Sequence, residues 1–456
     1  MSKRLSTCLV LAFLGLATIA SAGTTRPAAT PPAVIANNFI ADPTANANDF
    51  LDGEVAQAVL EAISLAPDTA NVVLSSSAGT FQKAVTEVLG TTTNLAAMAP
   101  GEKKDNATFL VNLFSGKSGT FATSDVFIAS GLRQTTSLAT STSTVNQLNN
   151  SIGGRMSTVL AERRSQEIKF GSDSAMASSA MNANFANRFW IGGFGVWQDM
   201  GQKDGYEGYK YSSHGFITGY DRAFGPLTLG AAFSYNRGDL NVDNAIDDNK
   251  IDNYSLSAYA TYSHTSGFFA TMNGGWNRGD NKMADYVAAS DGWRYGDYDT
   301  DSYWLGGSMG YDFRINCLTI TPSIGLQYQK SRSDAYTTTG IIHQNFGKMN
   351  SKALTMPIDL AIAYTARISP DASFTFSANG GYGYDFENKG ATGSMNYVGY
   401  NESIQIQGVK PGRSSWNTGV GLKYQYKRFD FSANYRYDGK KDFDSHTVIG
   451  AFGISF

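Results

Sequence analysis

Cysteine is almost missing from this chain of 456 residues, which carries only 2. Cys8 falls inside an apolar N-terminal stretch, which leaves Cys317 alone in the remainder. A lone thiol permits no intrachain disulfide and no paired thiolate clamp for a metal. Histidine is equally scarce: there are 4, and none precedes His214. Residues 23–143 also lack the H-E-x-x-H, G-x-S-x-G and P-loop patterns, so that segment carries none of the usual metalloprotease, serine-hydrolase and nucleotide-binding signatures. A net charge of -3 is close to balanced and gives no reason to expect nucleic acid. Beyond the first 22 residues no apolar run approaches the roughly 18 positions that a membrane-spanning helix needs.

What the chain has instead is 48 Gly, 24 Tyr and 27 Phe against only 11 Pro. The N-terminus begins with Lys3 and Arg4, continues through an apolar stretch at 9–19, and reaches Ala20-Ser21-Ala22. That is the composition of a secretory signal peptide with a small-residue cleavage site, predicted to be cut between Ala22 and Gly23. Residues 23–143 are rich in Ala, Thr, Ser and Asn. Asn48 and Asp49 can cap a helix carrying Phe50, Leu51, Val55, Val59, Leu60 and Ile63, and a second helix is predicted from Phe81 through Val85 and Val88 to a stop at Gly90. Residues 91–93 and 135–144 read as exposed or disordered polar stretches. From 144 to 169, Val145, Leu148, Ile152, Met156 and Val159 recur at three- and four-residue steps, a narrow apolar stripe on an otherwise polar helix interrupted by Gly153-Gly154. Such a helix suits a water-filled lumen better than lipid; a solvated surface helix is the simpler alternative.

From Phe189 onward the period changes to two. Twelve strands are predicted, near 189–198, 211–222, 226–237, 251–263, 267–278, 301–313, 318–330, 351–367, 372–385, 414–426, 428–438 and 445–456. In one of them Phe429, Phe431, Ala433, Tyr435 and Tyr437 alternate with Asp430, Ser432, Asn434, Arg436 and Asp438. A strand oily on one face and charged on the other fits a wall with lipid outside and water inside. The links alternate long and short throughout, as external loops and periplasmic turns do in outer-membrane barrels, and an even strand count puts both barrel ends on the periplasmic side. Aromatics near strand ends, including Trp190, Trp197, Trp276, Trp304, Tyr328 and Trp416, are predicted to form interfacial belts. Lumen-side Asp312, Arg314, Asp359, Asp385, Lys423 and Arg436 are expected to pair with one another or with the helix. The last strand ends on Phe452, Ile454 and Phe456, a tail that resembles the terminal aromatic strand of bacterial outer-membrane barrels, where it is expected to serve as the assembly signal.

Taken in order, Trp190-Ile191-Gly192-Gly193-Phe194-Gly195, Gly215 to Asp221, Leu229 to Tyr235, and the final Ile454-Ser455-Phe456 resemble the C-terminal β-barrel of the monomeric autotransporters of type V secretion. The resemblance implies an all-β transmembrane barrel of about 12 antiparallel strands, preceded by a pore-threading α-helix and an exported passenger; here that N-terminal segment is small, Ala/Thr/Ser-rich and partly helical with no visible solenoid pattern, which departs from the family. It implies an outer-membrane location in a Gram-negative envelope, with the N-terminal segment at the cell surface. The partners it implies are outer-membrane lipid, the export translocon, periplasmic chaperones and the barrel-assembly machinery; a pore-filled barrel is expected to be monomeric and to need no cofactor. Some members of the family cut themselves in the lumen at an Asn-Asn step. Residues 145–149 look similar around Asn146, although Gln147 stands in the second position, and Asn149-Asn150 is the nearest true pair.

These readings divide the chain into a signal peptide at 1–22, an exported segment at 23–143, a linker with the pore helix at 144–188, and the barrel at 189–456. The leading function is a non-enzymatic translocator that exports and anchors its own short passenger. One alternative is a channel or structural porin with a plug-like N-terminal region. The other is a surface-loop hydrolase, which would need His214, His264, His343 or His446 to be gathered into one cluster. The acidic stretches at 239–248 and 280–301 match no EF-hand spacing and are expected to be solvated external loops.

Overall fold

The structure, a computed structural model, describes residues 73, 80–90, 95–114, 117–170, 186–369, 371–410 and 412–456. The predicted signal peptide, the helix expected from Asn48 and the 91–93 stretch lie outside them.

Twelve antiparallel strands close into a barrel. They are β1 (Asn187–Met200), β2 (Tyr209–Phe224), β3 (Leu227–Val242), β4 (Asn249–Ser263), β5 (Phe268–Val287), β6 (Gly292–Tyr311), β7 (Leu318–Ser333), β8 (Asn350–Ser369), β9 (Ala372–Tyr397), β10 (Ser414–Tyr426), β11 (Phe429–Lys440) and β12 (Phe443–Ser455). Each strand pairs with the next, and β12 returns to pair with β1 from Arg188↔Ser455 to Met200↔Phe443, so the barrel has no open edge. The closing seam is sealed by Phe456, whose backbone N–H donates to the Asn187 carbonyl at 2.9 Å and whose carbonyl accepts from the Asn187 N–H at 3.2 Å.

Alternation decides what faces where. Leu256, Met272, Leu305, Met309, Leu326, Ile358, Leu360, Val420 and Phe431 lie exposed on the outer wall, where lipid covers them. The intervening positions turn inward and satisfy one another: Asn236 Nδ2 donates to Ser213 Oγ at 2.8 Å, Ser255 Oγ to Asn277 Oδ1 at 2.7 Å, and Asn277 Nδ2 to Asn253 Oδ1 at 3.1 Å. Unpaired inward amides would be costly, and the cross-strand ladder reduces that cost.

The external side is more ordered than expected. Residues 279–300, read as a loop, continue the β5–β6 hairpin as far as Val287↔Gly292. Much of 386–413 likewise continues β9 to Tyr397 and adds a short strand, Ser403–Gln407. Further short strands at Tyr336–Thr337, Thr339–Gly340 and Gln344–Phe346 extend the wall outward between β7 and β8.

Among the described residues four α-helices precede the barrel: α1 (Thr80–Gly90), α2 (Glu102–Phe114), α3 (Ala122–Ala129) and α4 (Gln134–Phe170). The span of α1 matches the one predicted around Phe81. α4 starts ten residues earlier than expected, and Gly153-Gly154 does not break it. The 135–144 stretch, read as exposed or disordered, is instead helical and buried, with Thr140, Ser141 and Thr144 at 0 to 1% exposure. Their hydroxyls bond back to their own helix: Thr140 Oγ1 to the Ser137 carbonyl at 2.7 Å, and Thr144 Oγ1 to the Thr140 carbonyl at 3.1 Å. A polar stretch that satisfies itself can be buried without a partner on the wall. Among the described residues no helix is long and apolar enough to cross a membrane.

Candidate functional site, the helix-filled pore

α4 runs down the lumen from the external end to the periplasmic end. At 37 residues and about 1.5 Å per residue it is about 55 Å long, more than the height of the lipid band. Its outer end touches the wall through hydroxyls: Tyr298 OH donates to Ser137 Oγ at 2.6 Å, and Ser141 Oγ lies 3.3 Å from Thr300 Oγ1. In the middle, the predicted stripe of Val145, Leu148, Ile152 and Met156 is buried against Trp190, Phe194, Ile217, Ala232, Tyr259 and Trp304.

Trp190 and Trp304 therefore do not belong to the interfacial belts in which the sequence reading placed them. Both face the lumen at 4% exposure, whereas Trp197 and Trp416 do lie on the outer wall. The parity of β1 carried the signal, since Trp190 shares its face with Arg188 and Gln198 while Phe189 and Ile191 point out. A lumen occupied by a helix with an apolar stripe offers buried, non-lipid sites for aromatic rings. Room for Trp190 comes from Gly219 on β2, where a Cβ would meet the indole ring at 2.7 Å.

Toward the periplasmic end the helix is held by charge. Arg155 donates to Asp221 Oδ2 from Nε at 2.8 Å and from Nη2 at 2.6 Å, with both side chains buried. Tyr259 OH donates to the same Asp221 oxygen at 3.0 Å and accepts from Trp190 Nε1 at 3.0 Å. The Arg155 guanidinium also lies 5.9 Å from the Trp190 ring centre. Arg188 and Asp430 form a second buried salt bridge close by, where β1 and β11 leave the periplasmic rim. Asp221, Tyr259 and Arg188 were not singled out from sequence. Of the six expected lumen charges, four find partners on the wall other than one another or the helix: Asp385 accepts from Lys440 Nζ at 2.7 Å, Arg436 pairs with Asp438 at 2.7 Å, and Asp359 and Asp312 accept from the neutral Asn417 Nδ2 at 3.0 Å and Thr321 Oγ1 at 2.7 Å.

Above the outer mouth, α1, α2 and α3 fold into a cap. Phe81, Val85, Phe109, Leu113, Phe127 and Ile128 share one buried core with Ile342, Phe346, Met395, Tyr397, Ile404 and Ile406 of the external hairpins. Polar contacts fix the fit. Asn106 Nδ2 donates to the His343 carbonyl at 2.9 Å and its Oδ1 accepts from the His343 N–H at 2.8 Å; Tyr397 OH donates to the Ala129 carbonyl at 2.7 Å. Arg133, where cap meets pore helix, donates to both Glu207 carboxylate oxygens at 2.7 and 2.9 Å and reaches Asp285 at 3.4 Å. Asp285 is shared with the fully buried Arg294, which also donates to Gln344 Oε1 at 2.7 Å. Burial pushes the Glu207 carboxyl up to about 7, with Arg133 pulling in the opposite direction. Burial likewise raises Asp247 to about 6.

A family model described as the autotransporter β-domain matches residues 189–436, more than half of the chain. The chain belongs to the autotransporter family. It is 29% identical to outer membrane protein B of Rickettsia prowazekii (strain Madrid E) over 195 residues, covering 40% of this chain and 12% of that protein. With outer membrane protein A of Rickettsia conorii (strain ATCC VR-613 / Malish 7) it shares 23% identity over 292 residues, covering 60% of this chain and 14% of the other. The chain thus matches only a small part of the length of these curated relatives. Among solved structures, the translocator domain of autotransporter NalP from Neisseria meningitidis is similar, with 15% identity and a TM-score of 0.48, over 67% of this chain and 98% of that one. The β-domain of the Bordetella autotransporter BrkA gives 15% and 0.47, over 59% and 100%. Family and relatives together make this an outer-membrane barrel of the translocator type.

The asparagines singled out for processing all lie on α4 inside the lumen. Asn146 Oδ1 accepts from Gln327 Nε2 at 3.3 Å, Asn150 Nδ2 donates to Asp438 Oδ2 at 3.4 Å, and Asn149 is buried. The histidines stay apart: His214 is on β2, His264 in the β4–β5 turn, His343 under the cap and His446 on β12. Among the described residues no group of His, Cys, Asp or Glu is arranged to hold a metal ion.

Proposed function

We propose that the barrel exports its own short N-terminal segment, without enzymatic activity, and that the part of the expected 23–143 segment that precedes α4 at Gln134 stays at the cell surface as a cap. The observation that carries this reading is the shared core of α1–α3 with the external hairpins. Because α4 enters the pore from the outer end, the segment before it belongs on the outer side of the membrane. Ion pairs and packing along α4 then act as the anchor. Insertion by the barrel-assembly machinery, with delivery by the export translocon and periplasmic chaperones, follows from the family resemblance. A single pore-filled barrel supports a monomer.

Protease shaving of intact cells tests the proposal, using one epitope tag near Thr30 and a second in the exposed turn at Lys441-Asp442. The second site avoids the β7–β8 link, whose Ile342 and Phe346 belong to the cap core. Cleavage of both tags is the expected result. Cleavage of the turn tag alone would overturn export and leave a plugged channel. Release of an N-terminal fragment ending near Asn146, Asn149 or Asn150 would assign those residues to passenger processing.

A further inference from the structure

On the outer wall the charges just above the aromatic level are of both signs, and where like charges face one another, as Asp252, Asp280 and Asp299 do across β4–β6 and Lys250 and Lys282 across β4–β5, opposite charges stand beside them. Arg237 stands opposite Asp252 across β3–β4, Arg278 is salt-bridged to Asp299 and lies 3.7 Å from Asp301, and Lys250 pairs with Asp248 at 2.8 Å. Strands β7, β8 and β9 break this rule. Lys330 lies directly opposite Lys352, and Lys352 directly opposite Lys389, three like charges in one row across adjacent strands. Like charges facing each other across a ladder destabilise it. Among the described residues none of the three makes a salt bridge, and Glu387, which faces Leu354 one step lower, joins none of them.

Position says what neutralises the row. The three share the outward face with Leu326, Tyr328, Ile358 and Leu360, since parity is unbroken along β7 and β8 and the register shift beside Leu354 resets β9. From Leu318 to Tyr328, β7 climbs about 25 Å at about 3.3 Å per residue and about 40° of tilt, the height of the apolar band. The lysines begin where that band ends on the external side, at headgroup depth. A soluble anion there would sit against acyl chains, whereas a lipid headgroup is held at that depth by its own chains. Lysine binds phosphate as a point charge without demanding a fixed geometry, and a phosphate monoester carries about -1.5 to -2 charges, enough to offset most of the row.

We propose that Lys330, Lys352 and Lys389 form an exterior binding site for the phosphate of a phosphorylated glycolipid in the outer leaflet. Its acyl chains run down the apolar surface of Leu326, Ile358 and Leu360. The proposal rests on the barrel lying in the outer membrane with its long hairpins outward, which protease shaving tests separately.

The experiment is native mass spectrometry of the full-length protein in detergent, titrated with diphosphorylated lipid A, with dephosphorylated lipid A, and with inorganic phosphate as competitor. The phosphorylated lipid is expected to bind at least tenfold tighter than its dephosphorylated form. K330Q/K352Q/K389Q is expected to lose that preference, the corresponding triple arginine variant to keep it, and K250Q/K282Q to leave it unchanged. Equal binding of both lipids, or an unaltered preference in the triple glutamine variant, would overturn the site. Full displacement of lipid by millimolar inorganic phosphate, with phosphate bound as tightly alone, would overturn the lipid assignment in favour of a free-phosphate site. Heat-modifiable gel mobility reports folding. Should the triple variant not fold, K352Q, which removes the central charge, is expected to weaken the phosphorylated lipid severalfold, and no change in it would equally refute the site.

Discussion

Arg155→Met removes the charge by which the deep part of the pore stripe grips the wall among the described residues, so it isolates what the Arg155–Asp221 contact contributes to seating α4. Wild-type Asp221 accepts two hydrogen bonds from Arg155 and one from Tyr259, all on one oxygen, at 4% exposure. The variant leaves the carboxylate buried with Tyr259 as its remaining donor in that trio. Breaking a buried pair from one side costs about 3–5 kcal/mol, chiefly the cost of the stranded charge. At about 1.4 kcal/mol per tenfold, the unseated population of α4 should rise roughly 10²- to 10³-fold. Amide hydrogen exchange along 145–160, in the purified barrel, reads that population as lost protection. Asp221→Asn in the same chain removes the stranded charge, so R155M/D221N should recover at least half of the loss. Planar-bilayer recordings should show the same order, with the single variant opening most often. Protection in R155M within tenfold of wild type, or a double variant no better than the single, would refute the role given to this pair.

Acidity should tighten the cap. Glu207 has an ordinary carboxyl value of 4.5 but is held near 7 by burial in the folded cap, so the folded state binds the proton more tightly than the unfolded state. Stability from this group is therefore present in full below about 4.5 and is lost as pH rises toward 7, a swing of up to about 3 kcal/mol; tryptic cleavage within 80–133 should be slower at pH 5.5 than at pH 8, after correction for the protease's own pH dependence. Gly131 has a φ of +75°, and a Cβ there would lie 2.8 Å from Ile406 Cδ1, so Gly131→Ala should loosen the cap by about 1–3 kcal/mol while the barrel keeps its heat-modifiable mobility. Deleting Phe456 removes both backbone bonds to Asn187 at the closing seam, and the outer-membrane yield of folded barrel should fall severalfold; a normal yield would count against the terminal-strand signal.

The membrane-embedded part of this fold was legible because two solvents write on one strand. In β11, Phe431 meets lipid while Asp430 meets the lumen, and the contrast survives in sequence as a period of two. Above the lipid the outer face meets water and the inner face meets a cap that is apolar in places and charged in others, as at Val287 and Asp285. Asn281, Lys282, Asp285, Arg294 and Asp297 then carry no alternation, although the strands continue, and the β5–β6 extension was read as loop. The pore site failed for a related reason. An indole is interfacial by habit, so Trp190 and Trp304 were assigned to the belts by type, yet the identity of what fills the lumen decides where they point. Asp221 and Tyr259 sit on different strands and meet Arg155 only through barrel closure, which no local pattern records.

The hydroxyl-rich upper half of α4 follows from its route. Thr, Ser and Asn are mediocre helix formers, because their side chains compete for backbone groups in the extended chain. On its own this segment has little reason to be helical, which is what its sequence suggested. Inside a narrow lumen the balance changes. Small side chains fit, the hydroxyls of Ser137, Thr140, Ser141, Thr142 and Thr144 each find the carbonyl three or four residues back, and wall residues such as Tyr298, Thr300 and Tyr211 supply further contacts. The same weakness that keeps the segment extended before it is seated therefore costs little once it is seated, because confinement and packing, not propensity, stabilise the helix. A leucine-rich helix would be firmer in isolation, but its bulk would not fit the lumen, and its apolar faces would meet Asn236, Asn253 and Asn277 on the wall.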